Sequence, residues 1–120
     1  MEKQLPENLN EIKPFLSEFK NHIYNHFPDT GCRLFLFGSY VRGEQYAESD
    51  IDLLLLFNEL SPEIEKTIFE IKADLTYEYD KYFSVITDTQ KHFDETETPL
   101  YYNIKKEGIE LWMKQYNCIA

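Results

Sequence analysis

The chain has 120 residues, a length that fits one folded domain with a buried core. We therefore expect no second, substrate-binding domain within it. It is 42% hydrophobic and 16% aromatic with only four Gly and five Pro, which excludes a disordered or fibrous chain. The formal net charge of -10 repels phosphodiester backbones, and Lys105-Lys106 is the closest basic pair, so a dedicated nucleic-acid surface is disfavoured.

The cysteines and the amino-terminal segment bear on the compartment. Cys32 and Cys118 are too few for a secreted disulfide framework, and neither lies in a Cys/His cluster that would suggest zinc. No apolar signal segment begins the sequence, and the longest apolar run, within 51–57, is far too short to span a bilayer. We therefore expect a cytoplasmic protein with reduced thiols and no membrane partner.

The first half of the chain predicts a helix followed by two buried strands. Apolar residues recur at three- and four-residue steps between positions 9 and 27, the spacing of one helical face, with Pro14 in the first turn or at a kink. The segments 33–37 and 51–57 are apolar on both faces, which predicts two central strands. Functional residues are expected in the polar loop between them, at 38–49.

The second half predicts two more helices around a third strand. Ser61-Pro62-Glu63 is a helix start, and the apolar stripe that follows predicts a helix to about Tyr79. The segment 82–87 is aromatic and β-branched, which predicts a strand. Thr98-Pro99 opens a last helix that Gly108 stops.

These elements predict an α+β fold, with a small mixed sheet of about three strands packed with helices. We expect residues 1–120 to form one domain, because no linker rich in Gly, Pro or Ser interrupts them. The polar stretch 88–98 is interpreted as a solvated loop, with a mobile lid as the alternative.

One constellation in the sequence suggests chemistry. Gly38-Ser39 follows the first predicted strand, and Asp50 and Asp52 open the second with one residue between them. Strand side chains alternate between faces, so both carboxylates are expected to share one face. Two ionised carboxylates this close are unfavourable without a cation, and Mg²⁺ or Mn²⁺ with substrate phosphates would satisfy the pair.

The residues before the acidic pair suit a phosphate. Gly38 lets the backbone turn without obstructing a ligand, and Ser39 offers a hydroxyl and an amide. If the residues that follow form a helical turn, their amides can cradle phosphate, and Arg42 lies within reach of the same anion. Either half of this pattern alone would be explained by an ordinary turn or a solvated strand start.

The segment GSYVRGEQYAESDID resembles the glycine-serine, ten-residue gap and Asp-x-Asp signature of the DNA polymerase beta-like nucleotidyltransferase superfamily. The short length and element order are similar to the minimal nucleotidyltransferases, which pair as antitoxins with HEPN-type toxins. The resemblance implies transfer of a nucleoside monophosphate, AMP from ATP, to an acceptor hydroxyl on such a partner. It also implies Asp50 and Asp52 as catalytic metal ligands, with Gly38 and Ser39 at the phosphates.

One position departs from that family pattern. The superfamily usually supplies a third carboxylate from the next strand, and the matching position here is Ser84. Because a neutral hydroxyl cannot replace a carboxylate as ligand or proton acceptor, the second hypothesis is a nucleotide-binding, catalytically weak antitoxin subunit that acts by contact. Modification of an aminoglycoside is disfavoured, since related enzymes of that kind carry an additional helical domain.

A few other residues have competing interpretations. His22 and His26 are interpreted as a surface pair rather than a metal site, and His92 as a loop residue without a nucleophile. Tyr40 and Tyr46 lie between the two halves of the motif and could stack on a nucleotide base.

Overall fold

The computed structural model describes residues 7–44 and 50–115. A short 3-10 helix, Glu7–Ile12, precedes the first α-helix. Helices and strands then alternate through most of the described chain. In order they are α1 Lys13–His26, β1 Cys32–Phe37, α2 Ser39–Arg42, β2 Ile51–Phe57, α3 Pro62–Tyr79, β3 Phe83–Thr89, α4 Gln90–Glu95, α5 Pro99–Glu107 and β4 Ile109–Lys114.

The strands form one mixed sheet in the order β3-β2-β1-β4. β2 and β3 run parallel, with α3 as the connection between them, whereas β1 is antiparallel to both β2 and β4. The α+β fold class is therefore confirmed. The expected three strands are present, and β4 is a fourth that the sequence analysis did not predict.

Local sequence signals set the helix ends as predicted. The Ser61 side chain accepts a hydrogen bond from the Ile64 amide at 3.2 Å, with Pro62 in the first turn of α3. Thr98 caps α5 in the same way, accepting from the Tyr101 amide at 3.2 Å. Such caps satisfy amides that the helix itself leaves unpaired.

The sheet is covered on both faces. On one face α1 and α3 bury a large core with alternate residues of the strands, and on the other α4 and α5 bury a smaller one. The larger core includes Phe19, Ile23, Leu34, Leu53, Leu55 and Leu75. The smaller one consists of Leu54, Leu56, Phe93, Tyr101 and Ile104, with Phe35, Phe37 and Ile86 packed against it.

The interpretation of residues 88–98 as a solvated loop was wrong over most of its length. Asp88 and Thr89 complete β3, and Gln90–Glu95 form α4. The Thr89 hydroxyl caps α4 by accepting from the His92 amide at 3.1 Å, and Phe93 is only 5% exposed. Burial of one aromatic ring thus fixes a helix whose remaining residues are polar.

Asp88 ties β3 to both helices on the smaller core. Its Oδ2 accepts from the Tyr101 hydroxyl at 2.6 Å and contacts His92 Nδ1 at 2.6 Å, while its Oδ1 accepts from the Thr89 amide at 2.7 Å. Burial and the Asp88 contact raise the pKa of Tyr101 to about 12. His92 is therefore part of a structural network.

In the part of the chain that the structure describes, none of the helices combines the length and the apolar character needed to cross a membrane.

Candidate active site

The sequence-predicted site residues converge at one edge of the sheet. β1 ends where β2 begins, because the two are antiparallel and Phe37 pairs with Asp52. β3 begins at the same edge, because it is parallel to β2 and places Ser84 opposite Asp52. Gly38, Asp52 and Ser84 therefore meet on three adjacent strands, and Asp50 directly precedes β2 as an exposed residue.

Gly38 provides the space that Asp52 occupies. Its φ of 85° lies in a region that favours glycine, and a Cβ built on it would collide with the Asp52 carboxylate. Its carbonyl accepts from the amides of Val41 and Arg42 at 3.1 and 3.2 Å, which starts the one-turn helix α2 at Ser39. The glycine thus serves both the turn and the acidic residue.

Ser84 faces Asp52, as the strand alternation predicts. The Ser84 hydroxyl donates to Asp52 Oδ1 at 2.9 Å, and both residues are partly buried. Asp52 is consequently held between the hydroxyl on β3 and the Cα of Gly38. At the position where the sequence resemblance implies a third carboxylate, Ser84 is a neutral donor that orients Asp52.

The electrostatics at Asp52 favour a cation. Its pKa is raised, first by burial and then by the charge of Asp50, and these effects outweigh the Ser84 hydrogen bond and the charge of Arg42, which lower it. An ionised carboxylate in this position is therefore under-compensated in the protein alone. A positive ion between Asp50 and Asp52 would relieve the cost.

The donors present fit a magnesium ion that also binds the substrate. Carboxylate oxygens are hard ligands of the kind Mg²⁺ takes, commonly one or two from the protein with the rest from water and phosphate. Over residues 7–44 and 50–115, His, Cys, Asp and Glu side chains form no cluster of three or more with metal-binding geometry. Among the described residues, Asp50 and Asp52 are therefore the ones that would hold such an ion.

Arg42 is close to the site but has carboxylate partners. Its Nε donates to Glu44 Oε1 at 2.8 Å, and its Nη1 lies 3.6 Å from Glu107 Oε1 at the end of α5. The sequence did not predict that Glu107 lies near Arg42, because the two residues are 65 positions apart (107 minus 42). A triphosphate that binds Arg42 would have to replace these exposed contacts, which are weak in water.

Stacking of Tyr40 on a nucleotide base, which the motif left open, is excluded. Tyr40 is fully buried in α2 against the larger core, and its hydroxyl finds no hydrogen-bond partner among the described residues. Tyr46 lies outside the described residues. His22 and His26 stack on the outside of α1 with ring centroids 5.9 Å apart.

The thiol of Cys32 is poorly placed to react. It is buried, it pairs with no cysteine among the described residues, and burial raises its pKa to about 12, against a smaller lowering by Lys114. A thiol with such a pKa carries almost no thiolate at neutral pH. Cys118 lies outside the described residues.

Comparison with known proteins identifies the family. Residues 31–117 match the family model described as polymerase beta, nucleotidyltransferase. The chain therefore belongs to the polymerase beta nucleotidyltransferase family, and the resemblance seen in the sequence motif is confirmed. The class of protein is an enzyme that transfers nucleotidyl groups.

One relative and two solved structures illustrate the similarity. A provisionally named protein adenylyltransferase of Methanocaldococcus jannaschii is 39% identical over 77 residues, covering 63% of this chain and 78% of the relative. A chain from a crystal structure of a toxin-antitoxin complex with AMP-PNP gives a TM-score of 0.60 at 23% identity, covering 82% of this chain and 73% of that one.

The second structure contains the tri-AMPylated HEPN toxin of Shewanella oneidensis with its MNT antitoxin. The matching chain gives a TM-score of 0.50 at 22% identity, covering 88% of this chain and 69% of that one. At these identities the two solved structures establish a shared fold.

Proposed function

We propose that this chain is a magnesium-dependent adenylyltransferase that moves AMP from ATP to a hydroxyl of a HEPN-type protein. The observation that carries the proposal is the placement of Asp52 between Gly38 and Ser84, beside Asp50, at the edge where α2 begins. The name of the archaeal relative supports adenylyl transfer. The AMP-PNP and HEPN complexes of structurally similar chains support ATP and the partner.

The proposed reaction is a displacement at the α-phosphorus. The acceptor hydroxyl oxygen forms a bond to this phosphorus while the bond to the oxygen bridging toward the β-phosphate breaks. Pyrophosphate leaves with the bonding electron pair, and the acceptor proton passes to water or to a base on the acceptor. Most catalysis in such transfers is positioning and charge neutralisation.

Each site residue has a proposed role in that reaction. Asp50 and Asp52 hold Mg²⁺ or Mn²⁺, which when bound neutralises charge on the phosphate oxygens. The backbone at Gly38 and Ser39 approaches the leaving phosphates, and Arg42 exchanges Glu44 and Glu107 for them. Ser84 orients Asp52 by donating to Oδ1.

The acidity of the chain favours a protein acceptor. With a net charge of -10, association with a polyanion is disfavoured, whereas a partner carrying a basic surface is attracted. We propose that residues 1–120 act as one nucleotidyltransferase domain in the cytoplasm, with the acceptor presented by the bound partner.

A second candidate is a subunit that binds nucleotide but neutralises its partner mainly by contact. Ser84 favours it, because the site has a hydroxyl where a third carboxylate would hold the acceptor-side ion or take the proton. In that case nucleotide binding would persist while transfer would be very slow.

Radiolabel transfer tests the proposal. The full chain is incubated with ATP labelled at the α-phosphate, Mg²⁺ and a HEPN-type protein, and label on that protein is measured. Asp50→Asn with Asp52→Asn should abolish labelling, while Asp74→Asn, an exposed acid on α3, should leave it unchanged. Metal-dependent nucleotide binding without labelling would favour the contact antitoxin.

A further inference from the structure

Among the described residues, Tyr82 carries the most exposed aromatic ring beside the candidate site, and no part in the proposed reaction has been assigned to it. Tyr82 directly precedes β3 and is 74% exposed, and its carbonyl accepts from the Ile51 amide at 3.3 Å. That bond fixes its backbone beside the segment that carries Asp50 and Asp52. Tyr82 is thus an exposed aromatic residue beside the site, whereas Tyr40 is buried.

The direction of the Tyr82 side chain follows from its neighbour. Phe83 is 4% exposed and packs against Phe15 and Phe19 of α1, with centroids 4.6 and 6.1 Å apart, on the face opposite the site. The Tyr82 carbonyl continues the pairing with β2 one residue before β3, so we infer from strand alternation that its side chain turns toward the face of Ser84, about 7 Å further along the chain. With that direction, the exposed ring would lie on the solvent side of the Asp52–Ser84 pair.

The order of the strands places Tyr82 and the residues proposed to bind phosphate on opposite sides of β2. Gly38, Ser39 and Arg42 follow β1, on one side of β2, whereas Ser84 and Tyr82 belong to β3 and its start on the other side. In an in-line displacement the nucleophile and leaving group lie on opposite sides of the phosphorus. If the leaving pyrophosphate lies at α2, the acceptor hydroxyl enters from β3.

We propose that Tyr82 is a specificity-determining residue that packs against the acceptor and forms the outer wall of its entry. The inference rests on the adenylyltransferase function proposed above. Ser84 places a neutral hydroxyl rather than a carboxylate on this side of the site, so packing against the Tyr82 ring would contribute to holding the acceptor. An aromatic ring supplies contact area at small conformational cost, which suits a transient protein acceptor.

Three substitutions separate this role from general effects. Tyr82→Ala removes the ring and Tyr82→Phe keeps it. Tyr77→Ala removes an even more exposed ring, 92% exposed on α3, in a residue outside the motif and outside β3. Both positions are exposed, so the fold should be retained in each variant, and the melting temperature verifies it.

Two binding measurements and one kinetic measurement test the proposal. Calorimetry with α,β-methylene-ATP and Mn²⁺ measures the nucleotide Kd, and calorimetry with the HEPN-type protein, nucleotide bound, measures the acceptor Kd. Tyr82→Ala should weaken the acceptor Kd and raise the acceptor KM about five- to ten-fold, with the nucleotide Kd unchanged. Tyr82→Phe and Tyr77→Ala should match the wild type.

The outcomes test the role of Tyr82 and the adenylyltransferase proposal separately. A weakened nucleotide Kd with an unchanged acceptor Kd would place Tyr82 on the base instead and overturn the assignment, as would no change in either. If the wild type binds nucleotide but labels nothing, the adenylyltransferase proposal fails. The acceptor Kd of Tyr82→Ala then decides separately whether the ring contacts the partner.

Discussion

The Asp52 carboxylate lies against the Cα of Gly38, in the space where any other amino acid would carry its Cβ. The two residues are therefore coupled: the acidic group needs the glycine for room, and the turn needs it for a φ of 85°. This gives the glycine of the motif a steric function in addition to its proposed approach to phosphate.

Gly38→Ala should be damaging in two ways. The added Cβ displaces Asp52 and strains the backbone, so we expect a loss of at least about 2 kcal/mol in unfolding free energy and weaker Mn²⁺-nucleotide binding. Gly43→Ala is the matched control, because Gly43 has a φ of 72° but no atom of the described residues lies within 4 Å of the position of an added Cβ. It should lose about 1 kcal/mol with nucleotide binding intact, and equal binding in both variants would contradict the coupling.

Asp52→Asn should separate stability from binding. Because the folded pKa of Asp52 is raised, the ionised group lowers stability progressively as pH rises from about 4 through that raised pKa. Removing the charge should raise the melting temperature without ligand by about 1–3 °C. Mg²⁺ with nucleotide should stabilise the wild type but not the variant. A lower melting temperature for the ligand-free variant would show that Asp52 is already compensated.

Ser84→Asp should create a second ion site. The new carboxylate would face Asp52 on the adjacent strand, so Mn²⁺ titration with α,β-methylene-ATP should show one tight ion in the wild type and two in the variant. Ser84→Ala serves as the control for loss of the hydroxyl and should retain one ion, bound somewhat more weakly. Two equally tight ions in the wild type would refute the proposed role of Ser84.

Asp88→Asn should destabilise the protein, because the Asp88 carboxylate links β3 to α5. Burial raises the Asp88 pKa, but hydrogen bonds from Tyr101, His92 and the Thr89 amide outweigh it and lower the pKa overall. Its stabilising effect is therefore full above about pH 4 and lost as pH falls through the lowered pKa. We expect the variant to lose about 1–3 kcal/mol at pH 7 and to show a shallower acid transition in urea denaturation. Asp74→Asn should show neither change.

Strong local signals explain what the sequence predicted correctly. Short sequence segments were enough to predict three elements: the buried apolar runs predicted β1 and β2, and the cap at Ser61 predicted the start of α3. β2 begins and ends at the expected residues. The Asp52–Ser84 contact was also predictable, because strand alternation and a parallel neighbour suffice to place it.

Distant contacts explain what was missed. β4 is stabilised by pairing with β1 and by Glu110, which binds Arg33 from 77 residues away at 2.7 and 3.0 Å. Helix α4 has six residues, too few for a periodic pattern, and is fixed by burial of Phe93. Burial of Tyr40 depends likewise on the core beneath α2, which no spacing within the motif reveals.

The strand order also has a consequence for the sequence of folding events. The proposed metal and phosphate ligands, with Ser84, lie within 38–84, on strands joined by short-range connections, whereas β4 must find β1 across most of the chain. Closing the longer loop costs more entropy, so the pairing of β1 with β4 is expected to form late. The strands β1, β2 and β3, beside which the acidic pair lies, would then pair before β4 adds to the edge of the sheet.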